Sequence, residues 1–230
     1  RGARIVSINP MRERGLERFA DPQDKLEMAT LGDTAISSHY FQLRIGGDFA
    51  FVKGMMKALV EWDDAGRQVL DHAFIAEHTT GFDALLQDLR AESWELLEKE
   101  SGLSVEHMRR AADVYAKAGS TIACWGMGIT QHQNSVATIQ MIVNLLLMRG
   151  NIGRPGAGPC PVRGHSNVQG DRTMGIWEHP PKALLQNLER VFGFMPPQEP
   201  GLGTVDTIRA MLDGQVKVFF ALGGNFAAAT

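Results

Sequence analysis

Three short apolar runs constrain this chain most. They are Arg4-Ile-Val-Ser-Ile8, Thr121-Ile-Ala-Cys-Trp125 and Val216-Lys-Val-Phe-Phe-Ala-Leu222. Their length and their β-branched and aromatic content suit buried strands rather than helices. Each ends in a loop rich in Asn, Pro or Gly: Asn9-Pro10, Gly126-Met-Gly128 and Gly223-Gly-Asn225. Helical patterns separate them. Strands that alternate with helices predict an α/β fold, a Rossmann-like parallel sheet with flanking helices.

The helical segments follow from spacing. Phe51, Met55, Leu59 and Trp62 fall on one stripe and predict a helix over 49–61, with Asp48 as its N-cap. Thr80-Gly-Phe-Asp83 starts a helix predicted to run through Leu97. Ser104 is placed to cap the next, which extends to Ala118 and stops at Gly119. Val136, Ile139, Val143, Leu146 and Leu147 line one face of a helix over 134–149, closed by Gly150. Two more helices are expected over 184–192 and 205–212, and Met11 to Asp24 reads as a loop or a short helix. Between Asn151 and Pro181, glycines at 150, 153, 156, 158, 164, 170 and 175 and prolines at 155, 159, 161, 180 and 181 predict irregular structure. Long irregular segments in compact domains are commonly functional.

Composition excludes several classes. The formal net charge is −3 over 230 residues, so no basic face invites nucleic acid. No run approaches the roughly 18 apolar residues of a membrane span. Cys124 and Cys160 lack metal-ligand spacing and are expected to be reduced, mostly buried thiols. The first strand starts near residue 1, and the last is followed by no covering helix. Both ends are therefore expected to be cut from a longer protein.

Ligands in open α/β sheets bind beyond the carboxyl ends of the strands, where the three glycine- or proline-bearing loops lie. Several such loops on one chain favour a large nucleotide-like ligand, and Asp48 is a candidate ribose or guanine partner. The 151–175 stretch adds Arg163, His165, Asn167, Gln169, Asp171 and Arg172. Arg163 is a fixed positive fork suited to carboxylate or phosphate, and His165 can transfer a proton near neutral pH. A solvated loop with an Arg–Asp pair is the competing reading. Among the other histidines, His132 stands out by adjoining the Gly126 loop.

Gly126-Met-Gly-Ile-Thr-Gln-His132, the helix after it, Arg149-Gly-Asn-Ile-Gly-Arg-Pro-Gly156 and Pro161-Val-Arg-Gly-His-Ser-Asn-Val-Gln-Gly170 together resemble molybdopterin oxidoreductases. The resemblance is greatest to the formate dehydrogenase-like catalytic subunits. It implies a bis-molybdopterin guanine dinucleotide carrying molybdenum or tungsten, held by two pseudo-symmetric α/β domains. Residues 1–165 would be most of one domain and 166–230 part of its partner. The matching positions imply that Asn9, Pro10, Gly47, Asp48, Gly126, Met127, Gly128 and Gln131 contact the dinucleotides, with Gly164, Asn167 and Gln169 nearby. Gly223, Gly224 and Asn225 would form a second dinucleotide loop. Arg163 falls on the arginine that faces the metal, and His165 is its candidate proton relay. No metal ligand is expected in this chain, and any iron–sulfur cluster would lie outside it.

His165 and Ser166 stand where formate dehydrogenases usually carry Gln and Asn, and Met11 stands where an arginine is common. The resemblance therefore extends to the branch and not to formate specificity. The expected partners are a small anionic substrate such as formate, the rest of a parent polypeptide and an electron-transfer subunit, with no nucleic acid or membrane. A cytoplasmic location is expected. These 230 residues alone should be inactive. The alternative is a nucleotide- or cofactor-binding module with no redox activity of its own. A nicotinamide-dependent enzyme is disfavoured, because no G-x-G-x-x-G follows the first strand.

Overall fold

A computed structural model describes residues 2–30, 32–175, 177, 179–221, 224 and 228. The chain divides into two compact units, Arg1–Gly164 and His165–Thr230.

The first unit opens with β1 (Val6–Ile8), α1 (Arg14–Glu17), β2 (Arg18–Phe19), α2 (Lys25–Thr30), β3 (Thr34–Ala35) and β4 (His39–Phe41). Five helices follow: α3 (Asp48–Asp64), α4 (His72–His78), α5 (Phe82–Ala91), α6 (Trp94–Ser101) and α7 (Val105–Ala116). The unit closes with β5 (Ile122–Trp125), α8 (Met127–Thr130), α9 (Ser135–Leu147) and β6 (Gly158–Pro161). The second unit holds α10 (Val168–Thr173), α11 (Lys182–Phe192) and α12 (Thr204–Leu212).

The α/β class and the parallel pairing hold. β1 pairs in parallel with β4, Ser7 facing Tyr40. β5 pairs in parallel with β6, Cys124 facing Cys160. Among the described residues these are separate two-stranded sheets, beside a small antiparallel pair of β2 and β3. Both parallel partners, β4 and β6, escaped the sequence reading. Each is only three or four residues long, and β6 reads Gly158-Pro-Cys-Pro161, a composition that argues against a strand.

Helix α3 forms the centre of the core. The sequence pattern predicts one apolar stripe, yet every residue from Ala50 to Val60 is buried. Helices α5, α6, α7 and α9 pack around it. Phe51, Met56 and Leu59 are fully enclosed. Each such side chain stabilises the fold by about 1.5–3 kcal/mol. Two lysines share the burial, and both are partnered. Lys53 Nζ lies 2.5 Å from Glu92 Oε2 and 2.8 Å from Asp88 Oδ2. Lys57 Nζ donates to the carbonyls of Leu89 and Arg90 at 3.0 and 3.2 Å. Burial opposes the Lys53 charge, but the two carboxylates outweigh it and raise its pKa.

Several boundaries differ from the sequence expectation for local reasons. Asp48 is the first residue of α3, and Gly47 occupies the cap. The helix expected to run through Leu97 breaks after Ala91, where Ser93 starts α6 by accepting from Leu96 N–H. Ser104 caps α7 as predicted, accepting from His107 N–H. Gly150 follows α9 in the left-handed region, at φ +58°. A Cβ there would lie 2.7 Å from Asp71 Oδ2. The stretch from 151 to 181 is not wholly irregular, since it contains β6 and α10. Residues 216–221 form no strand. A strand needs a ladder to hold it, and the main-chain N–H of Val216 donates instead to the Ala210 carbonyl at 3.1 Å, at the end of α12. Leu222, the end of that expected strand, lies outside the described residues.

Both cysteines are exposed, against the expectation of buried thiols. Their surroundings are a short two-stranded ribbon, not the helical core. No helix among the described residues is long and apolar enough to cross a membrane.

Candidate functional site

The candidate residues of the first unit converge by topology. Parallel strands present their carboxyl ends at one edge. Asn9 and Pro10 follow β1 directly, and Gly46, Gly47 and Asp48 come after its partner β4. Gly126 follows β5, while Arg163 lies two residues beyond its partner β6. Main-chain bonds extend both pairings past the strands. Asn9 N–H donates to the Phe41 carbonyl at 3.1 Å, and Val162 N–H to the Trp125 carbonyl at 2.7 Å.

A cavity of about 1350 Å³ opens among these elements, with Asn9, Pro10, Asp48, Gly126, Gly128 and His132 in its wall. Its floor is apolar, with Val6, Phe51, Met55 and Ile142 among the lining residues. A smaller cavity of about 210 Å³ adjoins Asp48 and His132, and Gln133, Asn134 and Thr138 complete its wall. Asp48 and His132 are common to both cavities. Burial raises the Asp48 pKa, while its backbone hydrogen bond and the nearby His132 pull in the opposite direction.

Asn9 is already engaged. Its Nδ2 donates to the Met11 carbonyl at 2.7 Å and to Glu13 Oε2 at 3.3 Å. The amide oxygen of Asn9 is then the acceptor it has to offer a ligand. Pro10 is fixed through its carbonyl, which accepts from Gln42 Nε2 at 3.1 Å.

The glycines serve different purposes. Gly47 is buried beneath the site, and a Cβ there would lie 2.8–2.9 Å from main-chain atoms of Glu100 and Ser101. Gly126 has extended backbone, φ −114° and ψ −158°, which any residue adopts. A Cβ on Gly126 would meet only the Val162 carbonyl at 3.9 Å, and one on Gly128 nothing within 4 Å. The fold does not demand glycine at either position. A side chain there would instead take up space at the cavity wall. That is the pattern of a surface kept clear for a close-lying ligand.

Met127, Gln131, Arg163 and Gly164 do not line the cavity, although they sit at the same strand ends. Met127 is half exposed, with Sδ 2.9 Å from where a Cβ on Gly164 would stand. Arg163 is exposed. In the second unit, His165 precedes α10, Asn167 caps it and Gln169 lies within it; all three are exposed. Gly224 is exposed, while Gly223 and Asn225 lie outside the described residues. Among the described residues no group of three His, Cys, Asp or Glu side chains could hold a metal ion.

His132 and the Asn134–Thr138 turn are the site residues that sequence reasoning undervalued. The signal available was position: His132 directly follows the Gly126–Gln131 loop. Two of the other described histidines have local explanations. His72 Nε2 bonds Asp63 at 2.6 Å, and His107 Nδ1 bonds Ser104 at 2.7 Å.

A molybdopterin oxidoreductase family model matches residues 4–229. The chain belongs to the molybdopterin oxidoreductase family. It is 51% identical to Protein YdeP of Escherichia coli K12 over 234 residues, which covers 100% of this chain and 31% of that protein. It is 44% identical to an uncharacterized oxidoreductase of Mycobacterium tuberculosis H37Rv, covering 100% of this chain and 29% of that one. Formate dehydrogenase H of Escherichia coli K12 is 34% identical over 73% of this chain and 22% of its own length. The chain thus spans about a third of the length of the relatives it matches. Acetylene hydratase from Pelobacter acetylenicus has the same fold over 67% of this chain and 18% of its own, with a TM-score of 0.52 and 18% identity.

Proposed function

We propose that this chain is part of a molybdopterin-dependent oxidoreductase of the formate dehydrogenase-like type. In this reading its first unit forms a wall for one arm of a molybdopterin guanine dinucleotide. The observation that carries it is the convergence of Asn9, Pro10, Asp48, Gly126 and Gly128 on one cavity at the carboxyl ends of parallel strands. The donor set fits such a group. Asp48 and the Asn9 carbonyl oxygen accept from ribose hydroxyls or guanine N–H groups, and Gly126 and Gly128 leave room for a pyrophosphate against the backbone. The metal, molybdenum or tungsten, would be ligated outside this chain.

When bound, the cofactor supplies two-electron chemistry at its metal. Arg163 holds a small anionic substrate such as formate by charge-assisted hydrogen bonds. Its guanidinium cannot be deprotonated, so the positive charge persists through turnover. His165, next but one in sequence, accepts and returns a proton. The His165-Ser166 pair separates this chain from the Gln-Asn pattern of formate dehydrogenases, so the substrate is a small anion and not necessarily formate. The second unit contributes Asn167, Gln169 and the 223–225 loop to the other dinucleotide arm. An electron-transfer subunit and a cytoplasmic location belong to the same reading.

The test is Arg163→Ala in the full-length protein. Metal content should match wild type while turnover of the anionic substrate falls by a factor of about 100 or more, the loss expected for an electrostatic group at the reacting centre. Unchanged turnover in a metal-replete variant would remove Arg163 from the reaction. A wild-type protein that binds nucleotide but contains neither metal nor turnover would favour a binding module without redox activity.

A further inference from the structure

The two cysteines of this chain have 35 residues between them in sequence and are exposed. They are nevertheless register partners at the middle of the β5–β6 pair. Register partners in a sheet project to the same face. Neighbouring strands lie about 4.8 Å apart, within the roughly 4.4–6.8 Å Cα separation that a disulfide spans. No large backbone movement stands between two thiols and one bond.

The ribbon that holds them is weakly stitched. β6 reads Gly158-Pro-Cys-Pro161, and prolines supply no N–H to a ladder. Main-chain bonds extend the pairing past both ends, from Gly158 N–H to the Thr121 carbonyl at 3.1 Å and from Val162 N–H to the Trp125 carbonyl at 2.7 Å. Cys160 sits between two prolines that restrict the backbone around it. Cys124 also lines the large cavity, which gives a small reagent a path to it.

We propose that Cys124 and Cys160 form a redox-active dithiol that closes into an intrachain disulfide when exposed to a low-molecular-weight disulfide. Burial raises the pKa of the Cys124 thiol, and the neighbouring Cys160 adds to the rise. In this sequence the exposed Cys160 attacks first. Its thiolate displaces one thiolate from the reagent and forms a mixed disulfide. Cys124 then loses its proton, attacks the Cys160 sulfur and expels the second thiolate. The chain gives up two protons and two electrons, and the reagent becomes two thiols. Exposed cross-links of this kind are readily reversed by thiols.

The bond would tie β5 to β6 two residues before Gly126 and three before Arg163. Its formation does not depend on the cofactor reading; only its consequence for Arg163 and the Gly126 loop rests on that reading.

The experiment treats the full-length protein with oxidised glutathione, blocks remaining thiols with iodoacetamide and maps the peptides by mass spectrometry. The expected result is joint loss of alkylation at both cysteines, a cross-linked Cys124–Cys160 peptide pair, and full recovery with dithiothreitol. Cys124→Ser should accumulate glutathione on Cys160 and go no further. The proposal is overturned if both thiols stay alkylated after prolonged exposure. It is equally overturned if oxidation yields only chain–chain dimers or a chain carrying two glutathiones. The wild-type map decides the matter even where a variant does not fold, and it is independent of metal content.

Discussion

Replacing Gly47 by alanine tests how the floor of the site is built. Gly47 caps α3 at φ −81° and ψ 1°, a conformation alanine can adopt, so backbone strain contributes nothing. Packing does. The added methyl would stand 2.8 Å from the Ser101 carbonyl oxygen, 2.9 Å from the Glu100 carbonyl oxygen and 2.9 Å from Ser101 Cα, whereas ordinary contacts begin near 3.4 Å. All three are main-chain atoms at the end of α6, so no side chain can swing aside. Overpacking of this kind costs about 1–3 kcal/mol. Alanine is also a poorer N-cap than glycine, which acts in the same direction. For a domain of this size each kcal/mol lowers Tm by about 2–4 °C, so the melt should fall by roughly 2–12 °C. Calorimetry or a thermal melt by circular dichroism reads it directly. Gly128→Ala is the control, because a Cβ there meets nothing within 4 Å. Its Tm should stay near wild type. Equal Tm values for Gly47→Ala and wild type would refute the steric argument and return Gly47 to the ligand.

Two further predictions concern the buried cluster behind β5. The Tyr115 hydroxyl donates to the Leu145 carbonyl at 2.7 Å and accepts from Asn151 Nδ2 at 2.9 Å. Burial pushes its pKa from 10.0 to about 12, with Asn151, Arg149 and Arg154 pulling partly back. A raised folded pKa means the neutral form is the one that folding favours. The associated stability is complete below pH 10 and is lost as pH rises toward 12. Denaturant melts across that window should show the loss in wild type and its absence in Tyr115→Phe; identical profiles would contradict the assignment. Asn151 is 1% exposed, and its Oδ1 accepts from Thr121 N–H at 3.1 Å and from Arg154 at 2.7 Å. Asn151→Ala removes the side-chain acceptor of Thr121 N–H and one bond each from Arg154 and the Tyr115 hydroxyl, and should cost about 1–3 kcal/mol in urea unfolding; a loss within error would mean water replaces the amide.

Much of this arrangement can be read from the chain itself. The α/β class follows from strands that alternate with helices, and caps such as Ser104 follow from residue type alone. Pairing is harder. His39-Tyr-Phe41 is too short to carry a period, and Gly158-Pro-Cys-Pro161 has the composition of a loop, so both partner strands are set by tertiary contact. The same reason hides the Cys124–Cys160 pairing, which exists only once the register of β5 and β6 is known. Burial of α3 on all sides is invisible to a stripe argument, because Lys53 and Lys57 read as surface until their partners on α5 and in the turn after it are placed. The site loops were legible as loops. That Asp48 and His132 share two cavities was not, since 83 residues lie between them.

The central claim is that the cavity at these strand ends holds a molybdopterin dinucleotide. Gly128→Leu in the full-length protein tests it most directly, because Gly128 lines the cavity and a Cβ there meets nothing within 4 Å. Metal content by mass spectrometry and guanine nucleotide released on acid hydrolysis should both fall well below wild type, with Tm preserved. Wild-type levels of metal and released nucleotide in a folded Gly128→Leu protein would contradict the account.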